Sequence, residues 1–452
     1  MALPASNFVA MTSSVVREPT KALFNAIGGL GYTPIVITRE SNREGIGSVL
    51  GPQALDTAIF CRDLNDPLST SAQVEKALQG RDLHLQSLIN VVDLLTPSML
   101  MTCDRIGLSF PFLETYKQCR TKSRARAVLR SADLSSLQFE LIDLFDDART
   151  PSLTYPFVAK PIMGAGSAFV YRVSDAGQWS GYRDALRNEM TGTDEQIDGV
   201  QPFRQIMVEE FARGQMFQVD GFCFEGKLHV CGLGLKFHEV IDGCFKQGFR
   251  EVGGIQYRPF SIPDHAATDL KIVNWADRVC GALGFRYGTF HLEGMLCSNS
   301  IELVEMNPRP GGSEVVPIVE AISGVNLSRQ LPRLWMEKAP TQFPEPTETH
   351  SVLYAILYPP KPTTIRAIQP AARINTPLPD TAEARWLPEK SLKAGSPVGE
   401  AEGEEYLGEV HISGYMPTDT AALRRDVERL ARWASQDGHL IEFDDPDSTH
   451  DQ

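Results

Sequence analysis

The chain has 452 residues, a net charge of −14 and a pI near 5.2, with 42% hydrophobic and 22% charged residues. This length predicts two to four domains with a sizeable core, and the acidic balance argues against nucleic acid or an anionic membrane surface as the main partner. No apolar run reaches the roughly 18 residues of a membrane span. Met1 to Ser6 carries no signal-peptide pattern, and the 8 Cys lack CxxC or Cys/His clustering, which predicts reduced, mostly buried thiols in a cytoplasmic protein.

Up to about Phe112, strand-like runs (Asn7–Met11, Pro34–Thr38, Thr57–Cys61, Leu88–Asp93) alternate with helix-like runs (Thr20–Leu30, Ser71–Gln79, Pro97–Ile106). This predicts a βαβ-type domain over 1–112 with a mostly parallel sheet. The turn Thr12-Ser13-Ser14 contains no GxGxxG, so a dinucleotide fingerprint is missing. Leu113 to Arg130 reads as one basic helix, with Lys122 and Arg126 on one face. Strand Pro156–Lys160 enters the turn Met163-Gly164-Ala165-Gly166-Ser167 and returns as Ala168–Val173. Glu189 to Pro202 resembles a polar surface insertion. Strands Gln205–Glu210 and Met216–Phe224 follow, joined through Arg213-Gly214. Thr289–Leu296 and Ile301–Asn307 form a hairpin around Cys297–Ser300, and a helix runs on through Ala321. Pro340–Pro346 is a proline-rich break. The last part, 350–443, mixes strands (Ser351–Leu357, Glu409–Met416) with a helix, Asp419–Gln436, for which Thr418 is the expected N-cap. The acidic tail 444–452 is expected to be disordered.

Chemistry concentrates in the hairpin. Strand alternation puts Glu305 and Asn307 on one face, with Arg309 continuing the line. If the turn centres near Asn299, Glu293 faces Glu305 with Cβ atoms roughly 5 Å apart, a repulsive arrangement. A divalent cation reverses that penalty, and two carboxylates with an amide oxygen suit Mg²⁺; the alternative is a surface hairpin with solvated acids. On this reading, Gln at either position leaves the cation-free protein no less stable. Lys160, Gly164, Gly166 and Ser167 can cradle phosphate, or form a plain hairpin turn. Glu209 and Glu210 end a strand at an edge where adenine can be read, or are solvated acids. The Lys122/Arg126 face is otherwise ordinary solvated surface.

Taken in order, the basic helix, the strand Lys with its Gly-rich loop, the acidic hinge, the HxE pair and ExNPRxGG resemble the ATP-grasp superfamily of carboxylate–amine ligases. The resemblance is close over about 113–330 and strongest to the L-amino acid ligases, with FHLEG…IELVEMNPRPGG its most specific element. It implies an α/β chain (α+β in the catalytic part): an N-terminal pre-ATP-grasp domain over 1–112, a catalytic region over 113–340 with a lid at about 150–212, and a C-terminal α+β domain over 350–443. Lys122 and Lys160 would then bind ATP phosphates under a loop of Gly164, Gly166 and Ser167. Glu209, Glu210, Phe211 and Ala212 would form the adenine hinge, partly through backbone. Glu293 and Glu305 would hold Mg²⁺ with Asn307 assisting, and Arg309, with Lys160, would steady the transferred phosphoryl group. Glu251 would meet a substrate ammonium, unless it pairs with Arg250, Arg258 or Lys246, and Ser313 would border the first substrate's side chain. Two departures concern substrate contacts: Met216 stands where relatives often carry an acid, and Gly254 where some carry His. The implied activity joins a small-molecule carboxylate to an amine at the expense of ATP, with no nucleic-acid or membrane partner and a homodimer left open. The alternatives are a bicarbonate-using carboxylase-like enzyme and a non-catalytic nucleotide-binding protein.

Overall fold

The computed structural model describes residues 8–444 except 15, 17, 111, 147, 165, 190–203, 313, 342–347, 360–361, 379–382, 390–391, 400–405 and 418. The expected insertion at 189–202, Ser313, the N-cap Thr418 and the tail therefore lie largely or wholly outside the described residues. No helix among those described is long and apolar enough to cross a membrane.

The first sheet contains β1 (Phe8–Thr12), β2 (Thr33–Arg39), β3 (Ile59–Cys61) and β4 (Leu85–Ile89) in the order β3-β2-β1-β4. All its pairings are parallel, as the alternation of strand and helix requires, because parallel neighbours need a crossover. The last strand ends at Ile89, so Asp93 falls in a short turn, Asp93–Leu95, beyond the strand's carboxyl end.

The predicted single helix over Leu113–Arg130 is two helices, Leu113–Arg120 and Lys122–Ser131. Thr121 between them is extended (φ −95°, ψ 99°). The break places Arg120 at the end of one helix and Lys122 at the start of the next. The Lys122 amide, which has no partner within its own helix, donates to Ile162 O at 3.0 Å.

A second, antiparallel sheet has β5 (Phe139–Asp143), β6 (Phe157–Pro161), β7 (Tyr171–Val173) and β8 (Gln205–Glu210) in the order β5-β8-β6-β7. Helix Ala176–Glu189 packs on it. Phe157, Tyr171, Trp179, Tyr182, Ile206 and Val208 give this layer a core of its own.

The remaining strands are β9 (Gly214–Phe224), β10 (Lys227–Val240), β11 (Phe249–Tyr257), β12 (Gly288–Cys297), β13 (Ile301–Asn307), β14 (Ser351–Leu357), β15 (Thr363–Ile368), β16 (Ala372–Ile374), β17 (Glu383–Pro388), β18 (Pro397–Val398), β19 (Gly408–Ser413) and β20 (Ile441–Phe443). Nine of them form one sheet, β13-β12-β9-β10-β11-β14-β19-β17-β16; β18-β15-β20 form a small separate one. The large sheet is antiparallel and spans the proline-rich break, since β14 pairs with β11. The helix expected from Asp419 runs from Thr420 to Ala431, capped by Asp419, whose carboxylate accepts from Ala422 N at 2.7 Å, and a π-helical turn extends it over Arg432–Gln436. The 8 cysteines are free thiols, and only Cys244 and Cys297 are not buried.

Gly254 sits mid-sheet between Lys236 and Tyr354. A Cβ there would lie 2.0 Å from Leu235 O, a backbone atom of the neighbouring strand. No side chain fits at this position without moving β10, so the difference from relatives that carry His is built into the backbone. Gly254→Ala should lower unfolding free energy by about 3 kcal/mol, the upper range of overpacking costs, measured by urea denaturation.

Candidate active site

The hairpin register is the predicted one, for a reason the sequence did not show. The turn is tight, with Cys297 N donating to Ser300 O at 2.9 Å and Leu296 opposite Ile301. That register alone would set Glu293 against Val304. The irregularity after Glu293 adds one residue on the β13 side, so Glu293 faces Glu305. Directly opposed residues point to one face of a sheet. Glu305, Glu293, Gln218, Gly234 and Gln256 therefore form one row across five strands. Lys236, Gly254 and Tyr354 form part of the next row.

The two carboxylates are neutralised from their flanks. Lys236 Nζ lies 2.6 Å from Glu293 Oε1 and 2.6 Å from Glu251 Oε2. Glu251 Oε1 accepts from the Tyr354 hydroxyl at 2.7 Å. His291 bridges Glu293 (3.3 Å) and Asp220 (2.8 Å), and Asp220 also accepts from Gln256 Nε2 at 2.8 Å. Glu305 pairs with Lys122 at 3.1 Å and accepts from Asn307 Nδ2 at 2.7 Å. Burial pushes Glu293 up, but Lys236 and His291 outweigh it and hold it well below the usual carboxylate range. Burial likewise opposes Glu305, and Lys122 does most to keep it low. Burial also works against a charge on His291, yet Asp220 and Glu293 raise it to about 10, so it is an imidazolium at neutral pH. Lys236 is raised above its ordinary value by Glu251 and Glu293 despite its burial.

Two further pairs complete the wall. Lys160 is hydrogen-bonded to Glu209, whose other oxygen accepts from Arg126 Nη2 at 2.9 Å and Nε at 3.1 Å. Arg309 grips Asp93 with Nε (2.9 Å to Oδ1) and Nη2. Arg120 lies 3.3 Å from the same carboxylate, donates to Asn307 Oδ1, and donates to Gly164 O at 2.9 Å.

Two cavities open on this wall. One, of about 460 Å³, has apolar sides from Val158, Phe211, Met216 and Leu303 and reaches Lys122 and Lys160. The other, of about 290 Å³, is polar and contains Arg309, Glu251, Gln256, Tyr354 and Glu409. The residues lining both are Ser167, Lys236, His238, Glu293 and Glu305. Ser167 is held in the left-handed region (φ 57°), as are Gly166 and Phe169, a conformation uncommon for residues with a Cβ. The Phe169 amide donates to Lys246 O at 2.7 Å and fixes the loop's exit.

Of the residues expected from sequence, Lys122, Lys160, Gly164, Ser167, Glu209, Glu210, Phe211 and Ala212 line the first cavity, and Glu251, Asn307 and Arg309 the second. Four expectations need correction. The Glu209 carboxylate is turned into the Lys160–Arg126 pair and is not available to an adenine; Glu210 accepts from Gln138 N at 2.8 Å. Asn307 accepts from Arg120 at its amide oxygen and meets Glu305 through its amide nitrogen. Glu251 pairs with Lys236, while Arg250 turns to Glu239 at 2.8 Å and Arg258 to His350. Finally, neutralising Glu293 or Glu305 removes ion pairs as well as repulsion, so the expected indifference of stability fails. Asp93, Arg120 and Lys236 were missed as site residues; each carries an ordinary charge in sequence, and only its distant partners mark it.

Among the described residues no group of three or more His, Cys, Asp and Glu could hold a metal by itself. Two ionised carboxylates facing one another beside a cavity still suit Mg²⁺, which takes one or two carboxylates and completes its shell with water and phosphate oxygens.

Glu209→Gln would leave Lys160 and Arg126 buried against a neutral amide. Loss of one partner of such a pair should cost about 3–5 kcal/mol of stability, read by urea denaturation at neutral pH. Burial raises the Glu209 carboxyl, but Lys160 and Arg126 bring it below its ordinary value. Its contribution is therefore present above the unfolded-state value of about 4.3 and is lost as pH falls through the folded value. The wild type should lose stability more steeply than Glu209→Gln on acidification in that range.

Known proteins resemble the chain in sequence and in fold. Residues 153–317 match the ATP-grasp domain family. Carnosine synthase 1 from Gallus gallus is 28% identical over 179 residues, 39% of this chain and 18% of that protein. Dapdiamide A synthase from Enterobacter agglomerans is 27% identical over 172 residues, 38% of this chain and 37% of that protein. The chain thus spans less than half the length of these two relatives. The crystal structure of an L-amino acid ligase from Bacillus licheniformis superposes with a TM-score of 0.68 at 17% identity, covering 98% of this chain and 99% of that one. The chain therefore carries an ATP-grasp domain, within a fold that it shares over almost its whole length with an L-amino acid ligase.

Proposed function

We propose that the protein is an ATP-dependent ligase that activates a carboxylate, that of an amino acid, as an acyl phosphate and joins it to an amine, releasing ADP and phosphate. The observation that carries this reading is the meeting of two cavities at one wall of paired charges, with Lys160 on one side and Arg309 on the other. One cavity has the apolar flanks an adenine needs, the other the polar lining of a small zwitterion.

In this reading ATP enters the first cavity. Its base lies between Val158 and Leu303 against the backbone of 210–212, and its phosphates reach Lys122, Lys160 and Ser167. Glu293 and Glu305, positioned by Lys236, His291 and Asn307, would hold Mg²⁺, which when bound would offset the negative charge of phosphate and carboxylate. The carboxylate substrate lies against Arg309, with Glu251 taking its ammonium. A carboxylate oxygen attacks the γ-phosphorus, the bond to ADP breaks, and Lys160 and Arg309 stabilise the charge in transit. The amine then attacks the acyl carbon, the C–N bond forms, the C–O bond breaks and phosphate leaves. The loop of Gly164, Gly166 and Ser167 shields the acyl phosphate from water. An ATP requirement and free thiols fit a cytoplasmic enzyme.

The test is nucleotide and product analysis after incubation with Mg²⁺-ATP and a pool of the standard amino acids. ADP, phosphate and a dipeptide mass are expected; AMP with pyrophosphate would refute the proposal. Asp93→Asn weakens the charge-assisted hold on Arg309, worth about 1.5–3 kcal/mol. It should lower kcat/KM for the carboxylate by about 10- to 100-fold with ATP affinity little altered, measured by steady-state kinetics and nucleotide titration.

A further inference from the structure

An amino acid presents its amine as an ammonium ion at neutral pH, and an ammonium has no lone pair with which to attack. The proton must leave inside the closed site, at the wall where the acyl phosphate forms. The groups lining both cavities stand at that place: among the described residues Ser167, Lys236, His238, Glu293 and Glu305. The Ser167 hydroxyl is too weak a base. Lys236 already carries its proton between Glu251 and Glu293. Glu293 and Glu305 are committed to Lys236, His291 and Lys122, and to the cation in the reading above. His238 remains. It stands on β10 two residues from Lys236 and opposite Glu251, and its buried Nδ1 has no hydrogen-bond partner among the described residues.

On these grounds, and resting on the ligase reading, we propose that His238 is the general base that deprotonates the amine substrate. The charged groups around it are Lys236 on its own strand, Glu251 on β11, Glu293 on β12, and Arg424 of helix Thr420–Ala431 at the first cavity. Burial holds the imidazole below its ordinary value; Lys236 acts the same way, and Glu251 and Glu293 oppose it. The ring is therefore neutral at neutral pH and has a lone pair to offer. The ammonium gives one proton to a ring nitrogen of His238, the freed amine forms the C–N bond, the C–O bond to phosphate breaks, and the second proton leaves with the phosphate. The imidazolium returns its proton to solvent when product departs.

Hydroxylamine separates this role from a structural one, because at neutral pH it is largely an uncharged nucleophile and needs no base. His238→Asn and His238→Gln are assayed with ATP and pooled amino acids, with and without hydroxylamine as the amine, reading hydroxamate against dipeptide. The ratio of dipeptide to hydroxamate should fall by about 100-fold or more, the lower range for a lost general base, and added imidazole should restore part of it. Equal losses in both products, or no loss in either, would overturn the assignment. A wild type that makes no hydroxamate from any amino acid would instead overturn the ligase reading beneath it.

Discussion

Glu293 and Glu305 face each other across a hairpin with most of their surface removed from water. Two buried carboxylates at that spacing cannot both stay ionised unless cations reach them from outside the hairpin. Much of the surrounding architecture meets this requirement. Lys236 comes from β10, two strands away from β12, and its long side chain reaches Glu293 across β9. Lys122 reaches Glu305 because the helical segment breaks at Thr121 and restarts at Lys122. His291 adds its charge from β12 itself, held as an imidazolium by Asp220.

The same logic ties the N-terminal sheet to the site. Arg309 and Asp93 are 216 positions apart in sequence, yet their bidentate contact brings the end of β4 against the loop after β13. Arg120 shares that carboxylate and continues to Asn307 and Gly164. A shift of the first sheet would therefore move the guanidinium in the polar cavity and the Gly-rich loop together. Bidentate Arg–carboxylate pairs fix angle as well as distance, which a point contact from Lys would not.

What could be read from sequence was what local periodicity encodes. The parallel first sheet, the hairpin and the residues sharing its face follow from alternation and turn residues, and the family resemblance rests on the same short segments. What escaped depends on distant partners. Glu209 looked like an adenine contact because its strand ends at a hinge; the folded chain gives it Lys160 and Arg126. Asp93 looked like the last residue of a strand, and nothing near it in sequence foretells Arg309. The break at Thr121 carries no Pro or Gly to announce it. The Glu293–Glu305 register was reached by assuming a turn centred on Asn299, whereas the chain achieves it with a tighter turn and one extra residue on β13.

The placement of charge also limits where acid–base chemistry can occur. On the wall between the cavities Lys236 and Lys122 balance the two carboxylates, so the protein supplies no net positive charge there to receive a phosphate and a second anion. In the proposed ligase that attraction would fall to a cation held by the two carboxylates, with Lys160 and Arg309 at the edges. A carboxylate serving as proton acceptor would give up part of its hold on the cation at the moment when anionic charge peaks. A base for the amine must therefore sit beside the carboxylates without belonging to them. β10 meets that condition with two residues on one face: Lys236, fixed as a cation between Glu251 and Glu293, and His238, two residues on, left without a hydrogen bond at Nδ1 among the described residues. Their different states come from their partners, since the strand presents both to the same wall.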